Sequence, residues 1–100
     1  MVWQRVMPLS ELPLGTARAQ GEILVCRTGE EEFRALENCC SHADVPLGDQ
    51  DLQDGQVACP AHGARFDATT GAACRAPAPV GIDTYPARIK DDWVEVDLED

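Results

Sequence analysis

Apolar and polar residues alternate in short runs along the chain, which predicts β-strands rather than helices. The alternation is clearest near the end, where residues 85–89 and 94–98 each place every second side chain on one apolar face. Asp91-Asp92 lies between these two runs and predicts a hairpin turn. Further strands are predicted at residues 2–7, 22–27, 33–37, 56–59 and 64–68. The pattern indicates an all-β chain of roughly seven to nine short strands.

Turn residues separate these runs. The chain has 8 Gly and 7 Pro, and turns are expected at Thr28-Gly29, Asp54-Gly55 and Thr70-Gly71. The glutamate-rich residues 30–36 could start a helix, but their place between a turn and a cysteine-rich segment favours a strand. Longer loops are predicted at residues 38–54, 60–63 and 71–81.

Composition narrows the class of protein. A chain of 100 residues fits a single domain over residues 1–100. Lys plus Arg number 8 and Asp plus Glu number 18, so the net charge is 8 − 18 = −10, which argues against nucleic acid and anionic membranes as partners. Acidic residues recur between positions 91 and 100, either as a solvated tail or as a surface that steers basic partners.

Cysteine usage indicates the compartment. The chain has 5 Cys, and an odd number without a signal-like segment after Met1 fits a reducing cytoplasm better than a disulfide scaffold. No apolar run reaches the roughly 18 residues of a membrane span. We therefore expect a cytoplasmic protein without a membrane anchor.

Both histidines follow a cysteine closely. Cys40-Ser41-His42 and Cys59-Pro60-Ala61-His62 each offer one sulfur and one nitrogen, and two such loops can close a four-ligand site. The order Cys, His, Cys, His differs from that of zinc fingers. It suits a two-iron cluster in which one iron takes both thiolates and the other both imidazoles. A structural zinc ion is the alternative.

The two motifs and their flanking residues resemble those of Rieske [2Fe–2S] proteins. The residues that carry the resemblance are Cys40-Ser41-His42, Pro46-Leu47-Gly48, Cys59-Pro60-Ala61-His62-Gly63, Arg65-Phe66-Asp67 and Thr70-Gly71. It continues through Ala76-Pro77-Ala78, which is similar to the proline loop that covers the cluster in that family, to Tyr85-Pro86. Nearly the whole chain is covered.

The resemblance implies a fold and a set of ligands. The fold is all-β, with three stacked antiparallel sheets and one [2Fe–2S] cluster held by two loops at one tip under the proline loop. Cys40 and Cys59 would bind the buried iron, and His42 and His62 the outer one.

Missing residues indicate the branch of the family. Rieske proteins of respiratory complexes carry a further cysteine in each loop, but this chain has Val45 and Ala61 there. Those proteins also donate Ser and Tyr hydroxyls to the cluster, where this chain has Ala64 and Phe66. Fewer hydrogen bonds lower the reduction potential, so we expect the low end of the Rieske range, roughly −150 mV. The chain therefore resembles the ferredoxin-type Rieske proteins, such as the ferredoxin components of bacterial aromatic-ring-hydroxylating dioxygenase systems.

The expected function follows from the resemblance. The chain would be a monomeric, low-potential one-electron carrier that takes electrons from a flavin-dependent reductase and passes them to a Rieske-type terminal oxygenase of an aromatic-ring dioxygenase system. It would be an electron-transfer component rather than an enzyme. One alternative is the small Rieske subunit of an assimilatory nitrite reductase, which the retention of all four ligands disfavours. A structural zinc-binding domain is the other.

Small and apolar residues surround the histidines, and we expect them to form a low docking rim for partners. They are Ala43, Val45, Pro46, Ala61, Gly63 and Pro77.

Three cysteines and one glutamine have no assigned part. Cys39 directly precedes a ligand, but only Cys40 has the C-x-H spacing. Cys26 and Cys74 are expected to be small buried apolar residues. Gln50 stands where family members commonly have a glycine.

Overall fold

The computed structural model describes residues 2–40, 45–60, 63–75 and 80–98. These ranges contain ten β-strands and a short 3₁₀ helix at Leu9–Glu11. The strands are β1 (Trp3–Pro8), β2 (Thr16–Gln20), β3 (Ile23–Gly29), β4 (Glu32–Glu37), β5 (Gln50–Asp51), β6 (Gln56–Ala58), β7 (Arg65–Asp67), β8 (Ala73–Arg75), β9 (Thr84–Lys90) and β10 (Trp93–Asp97). Over this part of the chain, no helix has the length and apolar character needed to cross a membrane.

The strands form two antiparallel sheets. Seven of them follow the order β1-β10-β9-β4-β3-β2-β5, and a three-stranded sheet follows the order β6-β7-β8. β9 pairs with β4 through residues 84–86 and with β10 through residues 87–90, so two smaller sheets merge at this strand. Together with the β6-β7-β8 sheet they make three antiparallel sheets, and the predicted all-β fold is confirmed.

Two apolar clusters form the core, one on each side of β3. Leu24 and Cys26 contribute to the first cluster, and Val25 between them contributes to the second. This division follows from the alternation of side chains along a strand. The first cluster also holds Leu36, Cys40, Leu47, Val57, Cys59, Ala64 and Phe66.

The predicted turn at Thr28-Gly29 is wrong. Both residues belong to β3, and the chain reverses at Glu30 and Glu31. A β-bulge between Arg27 and Gly29 shifts the register, so the strand continues past its Gly. The predicted turns at Asp54-Gly55 and Asp91-Asp92 are confirmed, and all four residues have positive φ, as type I′ hairpin turns require.

The predicted number of strands is too low. The apolar residues of β2 are two alanines, β5 has two residues, and β8 lies inside a predicted loop. Such short or weakly apolar strands give no clear alternation. Leu98, expected on the apolar face of the last hairpin, lies beyond β10 with 36% of its surface exposed.

The acidic residues of the last strand do not form a solvated tail. Glu95 is buried, with Arg88 at 2.8 Å and Arg5 at 3.9 Å from its carboxylate oxygens. Arg88 also stacks 4.1 Å from the ring centroid of Trp3. Asp97 is 1% exposed. Stacked cationic and aromatic side chains therefore cover this face of the sheet.

Candidate metal centre

The first of the two predicted ligand loops follows β4 and buries Cys40 completely. The backbone N–H of Cys40 donates to the carbonyl of Val45 at 2.9 Å, which joins the two described sides of the loop. Leu47 then packs in the same apolar cluster as Cys40. The loop therefore holds its cysteine at the inner side.

Asn38 fixes the start of this loop to its end. Its Oδ1 accepts hydrogen bonds from the backbone N–H groups of Leu47 at 2.9 Å and Gly48 at 3.1 Å. Its Nδ2 donates to the carbonyl of Gly21 at 3.0 Å. One amide side chain thus ties both ends of the first loop to the turn between β2 and β3.

The second loop connects β6 and β7 and is held by its own backbone. The N–H of Cys59 donates to the carbonyl of Ala64 at 2.7 Å, and the N–H of Gly63 donates to the carbonyl of Cys59 at 3.1 Å. Gly63 has φ +75°, which suits glycine because it has no Cβ. The result is a tight hairpin tip that buries Cys59, 2% exposed.

The fold brings the two cysteines into one apolar environment. Cys40 and Cys59 belong to the same core cluster, together with Ala64 and Phe66. Burial opposes ionisation of a thiol, whereas a bound metal stabilises the thiolate. Two buried thiols from separate loops fit the sulfur half of a Cys₂His₂ donor set.

His42 and His62 lie outside the described residues, as do Ala43, Ala61 and Pro77 of the expected docking rim. Among the residues that the structure does describe, no group of three or more His, Cys, Asp or Glu is arranged to hold a metal. The structure therefore describes the surroundings of the two predicted cysteine ligands, and all four ligands stay a prediction.

The described rim residues differ in exposure. Pro46 and Gly63 are exposed, whereas Val45 is partly buried and packs against the first core cluster. Two further apolar side chains are exposed, Pro60 in the second loop and Val80 between β8 and β9, and Val80 is 60% exposed. The sequence did not single out either as part of the rim, although both fall within predicted loops.

The remaining cysteines have separate environments. Cys26 is buried in β3, as expected, and burial raises the pKa of its thiol to about 12. Cys74 was expected to be buried but is exposed, because β8 is an edge strand of the small sheet. Cys39 is only partly buried and does not belong to the core cluster that holds Cys40. This difference supports Cys40 as the ligand.

An open groove of about 700 Å³ runs beside the first loop, and Cys39, Pro46 and Tyr85 form part of its wall. Partial burial raises the pKa of Tyr85, and the negative charges of Asp83, Glu37 and Glu22 raise it further. Glu22 and Glu37 also line the groove, together with the cation Arg5, next to the loop that carries Cys40.

Comparison with known proteins agrees with the resemblance seen in the sequence motifs. The family model of the Rieske [2Fe-2S] domain matches residues 2–86. The ferredoxin component of the naphthalene 1,2-dioxygenase system of Pseudomonas aeruginosa is 34% identical over 99 residues, which cover 96% of this chain and 95% of that protein.

Solved structures agree with the sequence relatives. The ferredoxin of carbazole 1,9a-dioxygenase from Nocardioides aromaticivorans IC177 superposes with a TM-score of 0.83 at 29% identity, covering 96% of this chain and 97% of that one. A chain in the complex of reduced oxygenase and oxidized ferredoxin in carbazole 1,9a-dioxygenase gives a TM-score of 0.81 at 27% identity, with coverages of 95% and 92%.

Proposed function

The chain belongs to the Rieske [2Fe–2S] family, and we propose that it carries single electrons to a Rieske-type terminal oxygenase of an aromatic-ring dioxygenase system. The names of its relatives support the dioxygenase assignment. The structural observation that carries the proposal is the burial of Cys40 and Cys59, from two loops, in one apolar cluster. The protein is an electron-transfer component rather than an enzyme.

The proposed ligands are Cys40 and Cys59 for the buried iron and His42 and His62 for the outer iron. The bound [2Fe–2S] cluster supplies reversible one-electron transfer, with no bond chemistry on a substrate. The two loops hold the ligands, and the apolar residues around both cysteines keep water from the sulfur side. We also propose that the 100 residues act as a single domain.

The proposed potential is low for a Rieske centre. Ala64 and Phe66, fully buried in the cluster that holds both cysteines, have no side-chain hydrogen-bond donor. Glu22 and Glu37 line the groove along the first loop against one cation, Arg5, and the whole chain carries a net charge of −10. Both features disfavour an additional negative charge and so lower the reduction potential.

The proposed docking face is the tip around the two loops. Pro46, Pro60 and Gly63 are exposed there, and Ala43, Ala61 and Pro77 are assigned to the same face by the sequence. A small apolar face permits weak, short-lived contact, which a carrier needs to leave after each transfer. The proposed partners are a flavin-dependent reductase and the terminal oxygenase, and the carrier acts as a monomer in the cytoplasm.

The test is to measure iron, acid-labile sulfide and the EPR spectrum of the purified, dithionite-reduced protein. We expect two irons and two sulfides per chain and a Rieske spectrum, with a midpoint potential near the lower end of the class range, roughly −150 mV. A colourless zinc protein, or a spectrum of the all-cysteine type, would contradict the assignment.

Partner choice is tested by reconstitution. The reduced protein is offered in parallel to the terminal oxygenase of an aromatic-ring dioxygenase system and to an assimilatory nitrite reductase. We expect re-oxidation by the oxygenase with product formation. Electron transfer to the nitrite reductase alone would overturn the dioxygenase role while leaving the cluster assignment intact.

A further inference from the structure

Gln50 lies between the two ligand loops and contacts the backbone on both sides. Its side-chain Oε1 accepts a hydrogen bond from the N–H of Ala58 at 2.7 Å, and its Nε2 donates to the carbonyl of Ala58 at 3.1 Å. The same Nε2 lies 3.3 Å from the carbonyl oxygen of Leu47 and 3.5 Å from that of Gly48. We call these four contacts the Gln50 bridge.

Ala58 is available for this contact because of its place in the small sheet. Cys59 bonds across the hairpin to Ala64, and Ala58 pairs with Arg65 in the adjacent position of the same ladder. In an antiparallel pair, alternate residues direct their N–H and C=O groups away from the partner strand. The two polar groups of Ala58 therefore face outward, where the amide of Gln50 satisfies both.

The bridge joins the two sheets at the residues next to the ligands. The backbone of Gln50 belongs to β5, which pairs with β2 at the edge of the seven-stranded sheet. Ala58 ends β6 of the small sheet and directly precedes Cys59. Leu47 and Gly48 form the exit of the loop that carries Cys40. One side chain thus spans the gap between the supports of both cysteines.

We propose that Gln50 is a positioning residue that fixes the two ligand loops relative to each other and so sets how firmly the cluster is held. The proposal rests on ligation by Cys40 and Cys59. A glycine at this position would have no side chain to make the bridge.

The experiment uses the purified holoprotein and two substitutions of Gln50. Gln50→Glu keeps the shape and the acceptor for Ala58 but loses the amide donors and places a negative charge among three carbonyl oxygens. Gln50→Leu removes every polar contact with little change in size. Gln20, exposed at the end of β2, supplies matched controls as Gln20→Glu and Gln20→Leu.

Two readouts separate positioning from general stability. The first is the rate at which the visible absorbance bleaches in the presence of an iron chelator, and the second is the width of the EPR lines of the reduced protein. We expect both Gln50 variants to lose the cluster about tenfold faster than wild type, because each loses at least the two shorter hydrogen bonds of Nε2, to Ala58 and Leu47. Their EPR lines should broaden because the loops are less well fixed. The Gln20 controls should match wild type.

The outcomes are distinct. Wild-type bleaching rates and linewidths in both Gln50 variants would overturn the proposal. Equal changes in the Gln50→Glu and Gln20→Glu proteins would also overturn it, because the added charge alone would then explain the effect. If Gln50→Leu does not fold, Gln50→Glu still decides, because its thermal unfolding is measured alongside. Failure of ligation itself would appear in wild type as the absence of a Rieske spectrum, before any variant is compared.

Discussion

The two loops proposed to hold the cluster are built in different ways. The first loop is long, and the side chain of Asn38 ties its ends together through Leu47 and Gly48. The second is short and closes through backbone hydrogen bonds between Cys59, Gly63 and Ala64. The first loop therefore depends on particular side chains, whereas the second depends mainly on backbone conformation.

This difference has a physical reason in loop length. A short hairpin tip brings its own N–H and C=O groups within reach of each other, as the contacts of Cys59 show. A longer loop has orphan backbone groups that need partners from elsewhere, because burying them unpaired is unfavourable. Asn38 and Gln50 supply those partners for the first loop. Substitutions should accordingly affect the loops unequally, except at the ligands.

The largest effect is expected at the cysteines, where the two loops should be equivalent. Cys40→Ser and Cys59→Ser should each abolish the cluster, because each removes one thiolate from the buried iron. Iron content and the EPR spectrum measure this loss. Cys39→Ser and Cys26→Ala are the controls, since Cys39 lies outside the core cluster and Cys26 belongs to β3, paired with Ala17 and Arg34, rather than to either loop. A cluster that survives in Cys40→Ser but not in Cys39→Ser would show that Cys39 is the ligand and Cys40 is not.

The next largest effect is expected at Asn38. Asn38→Leu leaves the N–H groups of Leu47 and Gly48 without their acceptor, which should lower the free energy of unfolding by about 2 kcal/mol. Asn38→Asp keeps the acceptor oxygens and loses only the donor to Gly21, so its effect should be smaller. Urea denaturation measures both. Equal losses in the two variants would show that the acceptor contacts do not stabilise the first loop.

The spacing of Cys and His predicted Cys40 and Cys59 as ligands, and the alternation of apolar and polar residues predicted the all-β class. Both are local patterns that can be found in the sequence. Asn38 and Gln50 could not be assigned in this way. Their partners, Leu47, Gly48 and Ala58, are set by how loops and sheets approach each other. Gln50 differed from the family pattern, yet only the position of β6 shows what its amide contacts. A β-bulge likewise displaced the turn from Thr28-Gly29.

A smaller effect is expected from a matched pair of glycine substitutions. Gly48 has φ +78° and Gly63 has φ +75°, and a Cβ at either position would meet no atom of the described residues within 4 Å. Gly48→Ala and Gly63→Ala therefore test backbone conformation alone, with an expected cost of about 1 kcal/mol each. Thermal unfolding measures the cost. If Gly63→Ala accelerates cluster loss more than Gly48→Ala, the second loop depends more on its backbone, as the comparison requires. The reverse order would contradict it.

The smallest effect on the cluster, and a selective effect on transfer, is expected at the exposed prolines. Pro46 of the first loop and Pro60 of the second are both exposed, and a charge there should weaken docking without reaching the buried cysteines. Pro46→Glu and Pro60→Glu should each slow electron transfer to the oxygenase about tenfold, as a loss of about 1.4 kcal/mol in binding would give. Stopped-flow re-oxidation measures the rate, and the absorbance spectrum should stay that of wild type.

The control is Pro13→Glu, at an exposed proline before β2. It carries the same change away from both loops and should transfer electrons at the wild-type rate. Slower transfer in Pro46→Glu but not in Pro60→Glu would confine the docking face to the first loop. Equal slowing in all three variants would contradict a docking face at the loops, because the added negative charge would then act from any position.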